Sequence, residues 1–369
     1  ALAPLSGLAA QGTLSTQGFG YPPGQISTRA RATGGGISEF DADSPINPAS
    51  IALSGEPRMF LQYEPEFRRI TNGSNESNTL TARFPVFAAS VPFFSHASIG
   101  VSASTLLDRS SATSVTREQE VAGTISTVTE NTRFLGALND LRLAFGWAPS
   151  RKFQLGLGVH AFTGQNRVSF SQIFPDSLKF ASISQTSTLG FRGYAGSAGV
   201  IVRPSKNFGL AVSGRKGFKI EARSADSAVS EADVPDRIGV GLAFEGIPGS
   251  SISIHAAREM WSSLNGLGSS AATAVDTWEG GFGLESLGPR IIGRQTVLRL
   301  GSRYRTLPFL AAGDEVKELS FAGGIGAQFF RNRATFDVTL ERAERKMNGS
   351  DGDAKERAYI LSFGLRVRP

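Results

Sequence analysis

The chain has 369 residues, with 43 Gly, 26 Phe, no Cys and a formal net charge of +6. Without Cys it can build neither a disulfide framework nor a thiolate metal site, and its Lys and Arg are scattered rather than gathered in a stripe, which argues against a nucleic-acid binder. No run of 18 apolar residues suits a spanning helix; Phe84 to Leu107 lacks Asp, Glu, Lys and Arg, but Pro85, Pro92, His96 and several Ser rule out a helix there.

In chain order, residues 1–12, ALAPLSGLAAQG, read as the remnant of a secretory signal, with Ala10-Gln11-Gly12 as a small-x-small cleavage site. Residues 13–57 carry Tyr21-Pro22-Pro23-Gly24 and Gly34-Gly35-Gly36 and hold neither a helical nor a strand period. Such a long irregular segment is uncommon in a compact soluble domain. A polar barrel lumen is a place where irregular backbone can be buried.

Residues 58–369 read as about fourteen strands: 58–70, 79–92, 97–108, 134–147, 153–166, 188–202, 208–222, 235–246, 251–262, 276–286, 295–306, 317–329, 334–345 and 357–368. Ile238, Val240, Leu242 and Phe244 alternate with Arg237, Gly239, Gly241 and Glu245; Leu319, Phe321, Ile325 and Phe329 alternate with Ser320, Gly324, Gly326 and Gln328. The last stretch, YILSFGLRVRP from Tyr359 to Pro369, does the same. One face suits hydrocarbon and the other a polar lumen, the dyad pattern of a transmembrane barrel. Short turns, such as 148–152 and 203–207, alternate with polar stretches expected as long loops at 109–133, 167–187, 223–234, 263–275, 307–316 and 346–356. The fold class expected is all-β, an antiparallel transmembrane barrel. A soluble sandwich or propeller also alternates, but its strands are usually nearer 5–6 residues.

The stretch Arg29 to Leu53, RARATGGGISEFDADSPINPASIAL, resembles the N-terminal region of the FadL family of outer-membrane transporters for long-chain fatty acids and other hydrophobic compounds. A Gly-rich segment and an acidic patch precede an Asn-Pro-Ala motif in that family, matched here by Asn47, Pro48 and Ala49. Leu300 to Pro369 is similar to its C-terminal strands, including Gly313-Asp314 and Ala322 to Gly326. The resemblance implies a fourteen-stranded barrel, a lumen-plugging hatch over 13–57, and ligand captured at the outer loops and released sideways through the wall. It implies no enzyme, metal or cofactor. The expected partners are membrane lipid and lipopolysaccharide, the outer-membrane assembly machinery and a hydrophobic small molecule. Some FadL-like barrels serve secreted proteins, so the alternative is a structural barrel that binds a protein partner.

For the sideways exit, Pro85 and Pro92 are candidates for a wall irregularity, since proline removes a ladder donor; a place beside a turn or rim is the other reading. Lumen parity selects Arg299, Arg303 and Arg305, either as anchors for an anionic headgroup or as partners in a salt-bridge network with Asp337 and Glu341. His160 and Phe162 also face the lumen, as polar and apolar ligand contacts. His255 beside Ser253 has no third group to make a triad. Trp147, Trp261, Trp278, Tyr63, Tyr304 and Tyr359 are assigned to the interfacial girdle.

Overall fold

Phe321 is 60% exposed while its neighbour Ser320 is 1% exposed, and this contrast repeats along the wall. It is the physical signature of strands with one face in hydrocarbon and the other in a filled interior. The computed structural model describes residues 20–52, 55–72, 75–121, 124–174, 181–224, 227–267, 273–291, 293–311, 313–330, 333–347 and 355–369. The proposed signal remnant, 1–12, lies outside them.

The strands are β1 (Arg58–Asn72), β2 (Asn75–Arg83), β3 (Val86–Phe94), β4 (Ala97–Asp108), β5 (Ser111–Val121), β6 (Thr124–Ser150), β7 (Phe153–Ile173), β8 (Ile183–Val202), β9 (Phe208–Ser224), β10 (Ser227–Asp233), β11 (Asp236–Ile247), β12 (Ser250–Met260), β13 (Thr277–Ile291), β14 (Arg294–Thr306), β15 (Val316–Phe329), β16 (Ala334–Met347) and β17 (Lys355–Val367). Every pairing is antiparallel. β2 and β3 both pair with β1, β4 and β5 with β6, and β10 and β11 with β9. Each of these three couples is one wall strand in two pieces, so seventeen pieces make fourteen wall strands among the described residues. β17 closes on β1 from Met59↔Val367 to Thr71↔Lys355. The sheet therefore closes on itself.

Stretches expected as external loops are largely strand. β5, β10 and the outer halves of β6, β7 and β8 occupy much of 109–133, 167–187 and 223–234. β6 is 27 residues long, although about 9–11 suffice to cross a bilayer, so a tall ribbon projects past the membrane. Its Ser, Thr and charged residues are wet on both faces, which leaves no hydrophobic contrast to betray a strand.

Residues 20–52 lie inside the barrel. Ser27 caps a single helical turn, α1 (Thr28–Ala32), by accepting from the Ala30 amide. After it Gly34 and Gly35 take φ of 57° and 81°, which turns the chain at no steric cost. Asn47 caps a short 3-10 turn over Pro48–Ile51, its side chain accepting from the Ala49 amide at 2.9 Å and donating to the Glu39 carbonyl. The segment needs room, and the wall provides it with glycines. Gly146, Gly156 and Gly199 on β6, β7 and β8 receive the Asn47–Ala52 turn, and Gly281, Gly283 and Gly301 receive Thr33 to Gly36.

Candidate functional site

The lumen is filled by charge. Tyr21 is ringed by arginines, with the guanidinium carbons of Arg345, Arg305, Arg68 and Arg83 at 4.3, 5.0, 5.4 and 5.4 Å from its ring. Its hydroxyl donates to Glu318 at 3.0 Å and accepts from Arg305. Arg345 joins Glu318 at 2.6 Å, Glu66 at 3.0 Å and Glu356; Arg83 joins Glu64 at 2.9 Å, Asp108 at 3.0 Å and Glu66. Arg31 of α1 ties the inner segment to Glu64 at 2.8 Å and Glu341 at 2.6 Å. Each charge is buried, so the cluster is stable only as a set: losing one member strands its partners.

Arg299, Arg303 and Arg305 all face inward and already hold carboxylates: Arg299 pairs with Glu285 and Asp337, both at 2.6 Å, Arg303 with Glu279 at 2.7 Å, and Arg305 with Glu318 at 2.6 Å. Asp337 and Glu341 are thus bound to Arg299 and Arg31. At the opposite end of the segment Asp43 meets Arg366 and Arg58. Burial alone would raise its carboxyl pKa, but the two guanidinium groups outweigh burial and hold it below the ordinary value. The Tyr21 phenol is raised by burial, in spite of Arg305 and Arg345, and stays neutral.

His160 joins neighbours that sequence reasoning did not assemble. Its Nδ1 lies 2.8 Å from Asp140 Oδ1 and its Nε2 lies 2.8 Å from Ser197 Oγ. Gln25 of the inner segment donates to Asp140 at 2.8 Å. Phe162 stacks on the imidazole at 6.2 Å and 9°. His255 is buried between Glu39 at 3.8 Å and Glu279 at 3.5 Å.

An apolar cluster packs inside the barrel beside the ionic one. Trp261, Leu264, Leu267 and Phe309 pack over Phe162, Leu138 and Ile220, and the cluster reaches the wall at Leu106 and Leu107 of β4. Trp261 is only 1% exposed. Its assignment to the lipid girdle is therefore wrong: it follows the end of β12 in a 3-10 turn, Trp261–Leu264, that curls inward, where strand parity no longer applies. Trp147, Trp278, Tyr63, Tyr304 and Tyr359 are all exposed on the outer wall.

Where the cluster meets β4, the wall is irregular. The last bond between the β3 and β4 sides runs from the Thr105 amide to the Pro85 carbonyl; three residues on, Asp108 exchanges both backbone bonds with Tyr21 at 2.8 Å. β4 bulges between Thr105 and Leu107 against β6, and the register of β2 among the described residues is with β1. Pro85 stands at the corner of this break. Pro92 lies instead at the far end of β3, on the rim of an open vestibule of about 1230 Å³ with Arg151, Lys152, Arg203 and Lys206. Between the inner segment and β11–β14 a polar cavity of only about 50 Å³ remains, lined by Gln25, Glu259, Glu279 and Arg303 among others.

No family model matches the sequence, and no curated protein matches it. Among solved structures the chain is similar to a Pseudomonas aeruginosa FadL homologue, at 12% identity and a TM-score of 0.63 with 94% of this chain and 99% of that one covered. It is similar to the Pseudomonas putida toluene transporter TodX at 12% identity and TM-score 0.59, covering 94% and 99%, and to the monoaromatic hydrocarbon channel CymD at 12% and 0.57, covering 93% and 97%. The fold is of the FadL type. A FadL-type barrel with an apolar outer belt is an integral protein of the bacterial outer membrane, and no helix among the described residues is long and apolar enough to cross one.

Proposed function

We propose that this FadL-type barrel passes hydrophobic small molecules across the outer membrane without energy input, with residues 20–52 as its hatch, and releases them sideways into the membrane. The observation that carries the reading is the apolar cluster from Trp261 and Phe309 to Leu106 and Leu107, which ends at the break beside Pro85. An apolar solute gains about 0.8 kcal/mol per CH₂ on leaving water. It therefore favours a path through side chains that part over one through the ionic lumen. The solved structures of similar fold include a toluene transporter and a monoaromatic hydrocarbon channel, which supports apolar cargo. Long-chain fatty acids belong to the same proposal, but Arg299, Arg303 and Arg305 are poor headgroup anchors because each is already paired.

The test is uptake of labelled toluene and oleate by cells lacking and expressing the protein. Because the chain has no Cys, one cysteine in β2 (Ala82→Cys) and one beyond β4 (Ser110→Cys) can be bridged by a short bismaleimide. Uptake that falls on bridging supports lateral release; unchanged uptake in the bridged barrel removes it, and no uptake of either compound removes the transport reading. A second reading, a barrel that holds a protein partner, is favoured by the filled lumen together with Ile125, Ile173, Ile183 and Val229, all exposed on the projecting ribbon. Substituting these four by Ser would then abolish partner capture with uptake unaffected.

A further inference from the structure

We propose that Ser197 is a nucleophile, and that Asp140, His160 and Ser197 form a hydrolytic site for carboxylic esters of apolar chains on the inner wall. The three side chains come from the adjacent strands β6, β7 and β8, all on the lumen face. Asp140 receives His160 Nδ1 at 2.8 and 3.0 Å, and Nε2 of the same ring meets Ser197 Oγ at 2.8 Å. That order, acid to Nδ1 and hydroxyl to Nε2, is the one in which a carboxylate fixes the tautomer that lets the imidazole take a serine proton. The acid is itself held by Gln25, and the ring plane by Phe162.

A hydrogen-bonded chain alone would be an ordinary way to satisfy buried polar groups. What separates this site is Arg142. Of the ten buried arginines among the described residues, Arg31, Arg68, Arg83, Arg215, Arg237, Arg299, Arg303, Arg305 and Arg345 have a carboxylate within 4.0 Å, and Arg142 has none. Its Nε and Nη1 are buried without a partner, as is Oγ of Ser102, which faces it from β4. Leaving such donors unmet is costly unless something arrives to accept from them.

Gly158 connects the two halves of the site. It opposes Ser197 on the neighbouring strand, and a Cβ placed on it would lie 2.6 Å from Ser197 Oγ and 3.5 Å from Arg142 Cδ. With no side chain at Gly158 the hydroxyl and the arginine stem lie close against its backbone, and a substrate carbonyl enters only as these two side chains shift. A carbonyl carbon there would present its developing oxyanion to Arg142 and Ser102. Leu138, Phe162 and Ala195, each two residues from a member of the chain and on the same face, belong to the apolar cluster. They receive the acyl tail, which sets the substrate class.

In the reaction Ser197 Oγ bonds to the ester carbonyl carbon while His160 Nε2 takes its proton. The bond to the alcohol oxygen breaks, and that oxygen leaves with the proton from His160. Water then attacks the acyl-serine with His160 as base, releasing the carboxylic acid and restoring Ser197. Ser197, His160 and Arg142 are the catalytic residues; Asp140 is a positioning residue. Ser197 is 9% exposed, so access rests on the uptake reading, in which cargo parts the cluster above it.

The test uses the purified full chain in detergent, with a fluorescent alkyl fluorophosphonate and p-nitrophenyl octanoate. The expected result is a single adduct on Ser197, with labelling and hydrolysis lost in Ser197→Ala and lowered about 10³-fold in His160→Gln. Arg142→Met lowers kcat about 10²-fold with KM held. Asp140→Asn slows labelling and moves its half-maximal pH down, because the imidazolium then faces only Arg142 and Arg215, beside the neutral Gln25. Ser253→Ala keeps the adduct. Folding of every variant is checked by heat-modifiable gel mobility, and labelling is repeated in Trp261→Ala, where the cluster is opened. Absence of an adduct in both wild type and Trp261→Ala, or hydrolysis retained by folded Ser197→Ala, overturns the proposal. Toluene uptake, measured in parallel, needs no ester and tests transport separately.

Discussion

Gly199 and Gly146 should control whether the inner segment stays seated. A Cβ on Gly146 would lie 2.8 Å from the Ala52 amide nitrogen and 2.9 Å from its Cα, about 0.6 Å inside ordinary contact at 3.4 Å. On Gly199 it would overlap Oδ1 of Asn47, which caps the Pro48–Ile51 turn. Overpacking costs about 1–3 kcal/mol, and loss of the cap adds about 1 kcal/mol. Since 1.4 kcal/mol is tenfold, Gly146→Ala should raise the unseated population on the order of 5–150-fold, and Gly199→Ala more. Gly196, on β8 with Gly199, has nothing within 4 Å of its Cβ position, and Gly196→Ala is the control. The assays are single-channel conductance in planar bilayers and proteolysis of the inner segment. Both should rise in the order Gly196→Ala, Gly146→Ala, Gly199→Ala. If Gly199→Ala conducts and resists cleavage like Gly196→Ala, the glycines are not seats for the segment.

Arg345→Met leaves Glu318, Glu66 and Glu356 each short of one cation; it should destabilise the barrel by about 3–5 kcal/mol, measured by urea titration of the folded band on a gel. Asp43, whose carboxyl is held below its ordinary 3.8, stabilises the segment fully above about pH 4 and loses that contribution as pH falls through its depressed value. Conductance should therefore rise on acidification, and Asp43→Asn should start high and flatten that acid limb. Trp261→Ala removes a large apolar side chain that also donates to Glu259 at 2.7 Å, at a cost of about 3–5 kcal/mol; it should speed toluene uptake, whereas Trp278→Ala on the outer wall should not.

The barrel was legible because its period is written on every strand that touches lipid. All fourteen wall strands were read, since Leu319, Phe321 and their like must alternate with small or polar residues. Where both faces are wet the rule has nothing to act on, and β5 and the outer parts of β6, β7 and β8 read as loops. Where the chain leaves the sheet, as at Trp261, parity misplaces a residue.

Parity also reached the lumen, but only to the point of direction. It put Arg299, Arg303, Arg305, His160 and Phe162 inside, and could say nothing of which carboxylate or hydroxyl each would meet, because partners are fixed by register across the wall and by the inner segment. Tyr21, Arg345 and Glu66 went unread for that reason. So did Ser197 and Asp140, which lie 37 and 20 positions from His160 and meet it only once β6, β7 and β8 are aligned. Register offers one signal after the fact: Gly156 and Gly199 lie on the inward faces of β7 and β8 where the Asn47–Ala52 turn comes against the wall. An inward glycine in such a wall marks something that must approach: Pro48 and Ala49 at Gly156, Asn47 at Gly199 and the Ser197 hydroxyl at Gly158.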